Sequence, residues 1–185
     1  MTATTMRTSR VFLASLAFFT GALVAAGLTA ALEAQAPDLS GTWKITREAS
    51  KITAGAGLSG LGGNTGTPGT LYITQAANGV VTVGSDINES QARLYRPGGT
   101  TAIAAVQGAT LGLATRWEGR ALVAEGGPGA AATPSLKERF ALSPDGRSLT
   151  VTITTTAAAG EMTSTLVDAR SQIEPPCQQW PTPCR

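Results

Sequence analysis

The residues that could carry chemistry in this chain are carboxylates, a few serine and lysine pairs and two cysteines, because its 185 residues include no histidine. The absence of imidazole excludes the commonest general base and a common metal ligand. No two carboxylates have a spacing specific to a glycosidase, and the neighbours Ser50 and Lys51 do not form the Ser-x-x-Lys pattern of penicillin-recognising enzymes. We therefore predict a protein that is not an enzyme and that requires no metal and no cofactor.

One carboxylate has an unusual place in the sequence. Glu138 alternates with Leu136, Phe140 and Leu142, so it should share the apolar face of a strand. If that face points inward, the carboxylate needs a partner such as an arginine, or its pKa must rise. If the strand is irregular there, Glu138 lies at a rim. We treat Glu138 as a candidate ligand-binding residue.

A glycine-rich loop is predicted over residues 54–69. The stretch from Gly55 to Gly60 satisfies the Gly-x-Gly-x-x-Gly pattern of a dinucleotide-binding turn. That turn requires a helix at its end, and the following residues are too rich in glycine to form one. Two interpretations remain: a lid whose Leu58 and Leu61 contact a hydrophobic ligand, or a solvated linker.

Residues 1–36 have the organisation of a secretory signal peptide. Arg7 and Arg10 precede an apolar run from Val11 to Leu32, which is followed by a small-x-small motif. Cleavage is expected after Ala31, Ala34 or Ala36. The run is also long enough to span a bilayer if it is not cut. We predict an exported protein, periplasmic or extracellular, with no membrane attachment after cleavage.

The predicted mature chain has almost no net charge. Removal of Arg7, Arg10 and Glu33 with the signal leaves twelve basic and eleven acidic side chains. The remaining arginines are scattered rather than clustered, so nothing attracts nucleic acid by bulk charge. We predict no nucleic-acid partner.

The two cysteines lie in a proline-rich tail, residues 171–185. Export favours a disulfide between Cys177 and Cys184. Two thiolates without histidine do not complete a zinc site, and their spacing is not that of a redox Cys-x-x-Cys motif. The tail is either a cap on the domain or a docking element for an envelope protein partner.

Residues 37–170 show apolar residues at a period of two, interrupted by turn dipeptides such as Asn78-Gly79. No helical period of useful length occurs, so we predict an all-β antiparallel meander of about ten strands. A meander of this length removes its exposed edges by closing into a barrel of about eight to ten strands. The predicted inward residues are Leu71, Ile73, Leu94, Ile103, Phe140, Leu142, Val151 and Ile153.

The start of the first strand carries a family resemblance. Gly41-Thr42-Trp43, just after a short N-terminal arm, resembles the Gly-x-Trp of lipocalins and of lipocalin-like β-barrel proteins secreted by bacteria. The segments Arg116 to Val123 and Ala141 to Thr150 are similar to hairpins of such bacterial families. The resemblance implies a lipocalin-like barrel in which Trp43 closes the base and stacks against Arg170. The chain lacks the Thr-Asp-Tyr element and the C-terminal helix of true lipocalins.

Two functions are compatible with these features. In the first, the barrel binds a small apolar or amphipathic ligand, and the candidate ligand-binding residues are Trp43, Leu58, Leu61, Trp117 and Glu138. In the second, the domain is a non-catalytic structural or protein-interaction module of the envelope with a filled core. Small inward residues would leave room for a ligand, whereas well-filled layers of large residues would not.

Overall fold

The computed structural model describes residues 36–54, 56, 67–86, 92–106, 109–127 and 134–172, with the side chains of 101–106 and 109 left out. Within these ranges the chain forms ten strands and one short 3-10 helix, Arg47–Ala49. The strands are β1 Gly41–Ile45, β2 Thr70–Gln75, β3 Val81–Ser85, β4 Ala92–Tyr95, β5 Thr100–Val106, β6 Ala109–Glu118, β7 Ala121–Gly126, β8 Ser135–Leu142, β9 Ser148–Ala157 and β10 Gly160–Gln172.

The strands form one antiparallel meander that is nearly closed into a barrel. Each strand pairs with its neighbours along the chain, except that β4 and β5 are not paired with each other. The sheet continues because β1 pairs with β10, with Trp43 opposite Arg170. The predicted all-β meander is confirmed. None of the described helical residues belongs to a segment long and apolar enough to span a bilayer.

The hairpin turns follow the turn residues of the sequence. Gly79 has a φ of 82° and its amide donates a hydrogen bond to the Ala76 carbonyl, 2.9 Å away. A positive φ is accessible to glycine without steric cost, so Asn78-Gly79 reverses the chain between β2 and β3.

The barrel interior contains two adjacent rows of side chains that differ in size, set by the register of β6 to β10. One row consists of large residues: Trp117, Leu122, Phe140, Val151 and Leu166. The next row is smaller and more polar: Thr115, Ala124, Glu138, Ile153 and Ser164. The inward side chains of the second row therefore occupy less volume than those of the first, and this volume decides how a small barrel is filled.

Six of the eight predicted inward residues are buried. Leu71, Ile73, Phe140, Leu142, Val151 and Ile153 belong to the buried core. The prediction for Leu94 is wrong, because its neighbours Arg93 and Tyr95 are the buried residues of β4 and pair with Val83 and Val81. Alternate residues of a strand face opposite sides, so Leu94 points away from the interior. The side chain of Ile103 lies outside the described residues.

Candidate functional site

A buried polar cluster joins β4 to β8 across the barrel. Glu138 is fully buried, and its Oε1 accepts a hydrogen bond from Nη1 of Arg93 while its Oε2 accepts one from the Tyr95 hydroxyl at 2.8 Å. Arg93 Nη1 also donates to the Tyr95 hydroxyl at 3.0 Å. Since β4 and β8 are not neighbours in the sheet, these contacts cross the interior. Of the two positions predicted for the Glu138 side chain, inward or at a rim, the structure shows the inward one.

The cluster combines one positive and one negative charge with a neutral phenol. Burial lowers the pKa of Arg93, but the Glu138 carboxylate and the Tyr95 hydroxyl more than offset that effect, and the net shift is upward. Burial raises the pKa of Tyr95 well above its usual range. Arg93 is therefore charged and Tyr95 protonated at neutral pH.

The second guanidinium nitrogen of Arg93 meets no acceptor among the described residues. Arg93 Nη2 is buried, yet no hydrogen-bond partner for it is found in the described part of the chain. The whole side chain is only 5% exposed, so bulk water does not replace that partner. Buried donors are nearly always hydrogen-bonded, because leaving one unpaired costs about 1–3 kcal/mol. An acceptor brought by a ligand would remove that cost.

Aromatic packing fixes the position of the cluster. The Tyr95 and Phe140 rings meet edge to face, with centroids 5.2 Å apart and an interplanar angle of 68°. Arg93 lies beside the Tyr95 ring, its guanidinium carbon 5.8 Å from the ring centroid. The cluster therefore contacts the large row through Phe140 and includes Glu138 of the smaller row.

A second arrangement surrounds Trp43, which is fully buried. Its indole Nε1 donates to the Leu39 carbonyl at 2.9 Å. The Arg170 guanidinium carbon lies 4.5 Å from the centroid of the Trp43 ring, and Nη2 of Arg170 donates to the Asp38 carbonyl at 3.2 Å. The N-terminal arm therefore lies against Trp43, and the cation–π contact adds to the packing.

Gly41 is required beside this arrangement. Its φ is 146°, and a Cβ at this position would lie 2.6 Å from the backbone oxygen of Gln172. Only glycine allows β10 to approach β1 this closely. The Gly-x-Trp motif thus combines a close backbone approach with a buried ring.

Asp168 on β10 is a buried carboxylate outside the Arg93 cluster. It is 2% exposed, and its Oδ2 has no hydrogen-bond partner among the residues that the structure describes. Its register partners are apolar, Ile45 on β1 and Leu149 on β9. Burial raises the pKa of Asp168 to about 6. The sequence analysis missed this residue.

The residues predicted for the site are only partly brought together. Glu138 belongs to the buried cluster, and Trp117 is half-buried and packs against the core beside Leu122. Trp43 lies in the separate arrangement with Arg170. Leu58 and Leu61 lie outside the described residues, as do the predicted signal up to residue 35 and the disulfide between Cys177 and Cys184.

The sequence analysis missed Arg93 and Tyr95. One signal could have found them. An inward Glu138 needs a buried cation, and Arg93 lies two positions before Tyr95 in a short strand, so the two side chains share one face. Among the described residues no group of three potential metal ligands occurs.

No family model and no curated protein matches the chain. The chain is similar to the solved structure of a "REP1-NXSQ fatty acid transporter", with a TM-score of 0.51 and 12% identity over 74% of this chain and 98% of that one. A zebrafish ileal bile acid-binding protein complexed with cholic acid gives a TM-score of 0.45 and 15% identity, over 71% of this chain and 97% of that one. The first likeness supports the lipocalin-like barrel fold.

Proposed function

We propose that this protein is an exported barrel that binds a small apolar or amphipathic molecule in its interior. The observation that carries the proposal is the buried Nη2 of Arg93, a donor for which the described part of the chain supplies no acceptor. In a filled structural core such a donor would only lower stability. In a binding protein it is the group that orients the ligand, because ligand sites combine apolar walls with a few placed polar groups.

The size of the surrounding side chains supports the same function. Ala124 and Ile153 are the register neighbours of Glu138, and Thr115 and Ser164 lie one strand further on either side, where Leu or Phe would fill more of the interior. Trp117 and Phe140 provide apolar contact beside it. The fold similarity to a fatty acid transporter is consistent with this use of the interior.

Export rests on the signal-like sequence of residues 1–36. An exported carrier would hold an apolar molecule in an aqueous compartment, shielded from water inside the sheet. Nothing in this proposal needs a cofactor or a catalytic step.

The test compares two alanine-to-leucine variants. Ala124→Leu adds volume to the small inward row, whereas Ala114→Leu adds the same volume at an exposed position of β6. Binding is measured by titration with Nile red, an uncharged fluorescent probe, and stability by thermal unfolding. We expect the wild type and Ala114→Leu to bind the probe alike, and Ala124→Leu to bind at least about tenfold more weakly while remaining folded.

The alternative, an envelope module with a filled core, predicts a different result. The large side chains in the row at Phe140 favour a filled core in that part of the interior. If the whole interior is filled, the wild type does not bind Nile red, and Ala124→Leu loses about 1–3 kcal/mol through overpacking.

A further inference from the structure

We infer that the ligand of this barrel has an uncharged head group that accepts a hydrogen bond from Arg93 Nη2. This inference rests on the proposed function and specifies the ligand class: a neutral amphiphile such as an alcohol or an amide. It excludes a carboxylate as the preferred head group.

The charge balance of the cluster carries the argument. Arg93 and Glu138 form an ion pair with both side chains buried, at 5% and 0% exposure. The Arg93 charge is thus already neutralised. A second carboxylate at Nη2 would place two negative charges against one positive charge in a site with little water. Like charges in a low-dielectric environment repel strongly, so the neutral ligand is favoured.

The hydrogen-bonding capacity of the cluster matches such a head group. Arg93 Nη2 offers a donor, while each oxygen of Glu138 accepts only one of the hydrogen bonds described above and retains a second acceptor site. A hydroxyl or an amide can accept from Nη2 and donate to Glu138. A carboxylate has no donor and would form no hydrogen bond with Glu138.

Other charged groups near the interior do not change this balance. Asp168 faces Ile45 and Leu149, and its burial raises its pKa to about 6. Arg170 lies over Trp43 and is engaged with the Asp38 carbonyl. Neither has a contact with Arg93 in the described structure. The solved structure described above is named as a fatty acid transporter, and a fatty acid has a carboxyl head group. The inference therefore predicts that this protein prefers a different head group.

The experiment uses the full chain and ligands that share one alkyl tail: lauryl alcohol, lauramide, laurate and lauryl trimethylammonium. Dissociation constants are measured by isothermal titration at about pH 8, where laurate is ionised. The wild type should bind the alcohol and the amide at least about tenfold more tightly than laurate or the ammonium ligand. This ranking requires no variant.

Two variants locate the effect. Glu138→Gln removes the negative charge and leaves Arg93 unbalanced, so the affinity for laurate should rise about tenfold or more while that for the alcohol changes little. Glu125→Gln makes the same substitution in an exposed ion pair with Arg116, and should leave every affinity unchanged.

The outcomes separate the two proposals. Tightest binding of laurate by the wild type would overturn the head-group inference while leaving an interior site in place. An unchanged preference in folded Glu138→Gln would overturn it as well, because the preference would not come from the buried pair. No binding of any ligand in the series would contradict the proposed function and the inference with it.

Discussion

The guanidinium of Arg170 covers the ring of Trp43 at 4.5 Å, and the two residues face each other in the β1–β10 pairing. This pairing joins the first strand to the last and closes most of the barrel. The strand that carries the Gly-x-Trp motif is therefore held by its neighbour through backbone hydrogen bonds and through a side-chain contact.

We expect Trp43→Ala to lower the free energy of unfolding by about 3–5 kcal/mol, because it leaves a cavity where a fully buried ring packs. Arg170→Ala should cost about 1 kcal/mol, since the cation–π contact, the hydrogen bond to the Asp38 carbonyl and some packing are lost. Chemical denaturation measures both values, with Arg96→Ala in an exposed turn as the control. A loss below about 1 kcal/mol for Trp43→Ala would remove this ring from the core.

Gly41→Ala should destabilise the fold by about 2 kcal/mol or more, because the added Cβ meets the Gln172 oxygen and the backbone is held at positive φ. Gly79→Ala is the matched control: its φ is also positive, 82°, but a Cβ there has no atom within 4 Å. The control should cost only about 1 kcal/mol. Equal losses for the two variants would show that the close approach of β10 contributes nothing.

Glu138→Ala should cost about 3–5 kcal/mol, because it leaves the buried guanidinium of Arg93 without its counter-charge. The same substitution at Glu125, whose ion pairs are exposed, should change stability by less than about 1 kcal/mol. Urea unfolding of both variants provides the comparison. Similar small effects would indicate that Glu138 is not buried in the protein in solution.

We expect the buried carboxyl group of Asp168 to make the stability of the protein depend on pH. Its folded pKa, about 6, lies above the usual unfolded value of about 3.9, so ionisation of this carboxyl opposes folding. The penalty is absent below about pH 4, grows between about pH 4 and 6, and is complete above that range.

Asp168→Asn should therefore stabilise the protein at neutral pH by up to about 3 kcal/mol and have little effect below about pH 4. The measurement is the unfolding free energy of both proteins across this range. A constant difference between them at all pH values would assign the effect to packing and not to the charge.

The strand order of this fold could be predicted from the sequence because local signals determine it. Asn78-Gly79 and the Ser143–Gly146 turn mark hairpins, and short connections leave little choice but a meander. The alternation of Glu138 with Leu136 and Phe140 gave the inward position as one of two alternatives, and the structure decides between them. These inferences needed only the period of each strand.

The rest of the site depended on contacts between distant residues. Arg93 and Glu138 are 45 residues apart, and nothing local in β4 shows that a charged side chain faces inward. A strand of four residues has too few positions for its pattern to decide which face is buried, so Leu94 was predicted on the wrong side. The partner across the barrel determines the orientation of β4.

The most direct test of an interior ligand is native mass spectrometry of the protein purified from its own host. The account predicts a complex heavier than the chain alone, which releases a small uncharged amphiphile on denaturation and which Ala124→Leu does not retain. A bare chain for the wild type, together with no binding of any member of the lauryl series added to it, would contradict the account.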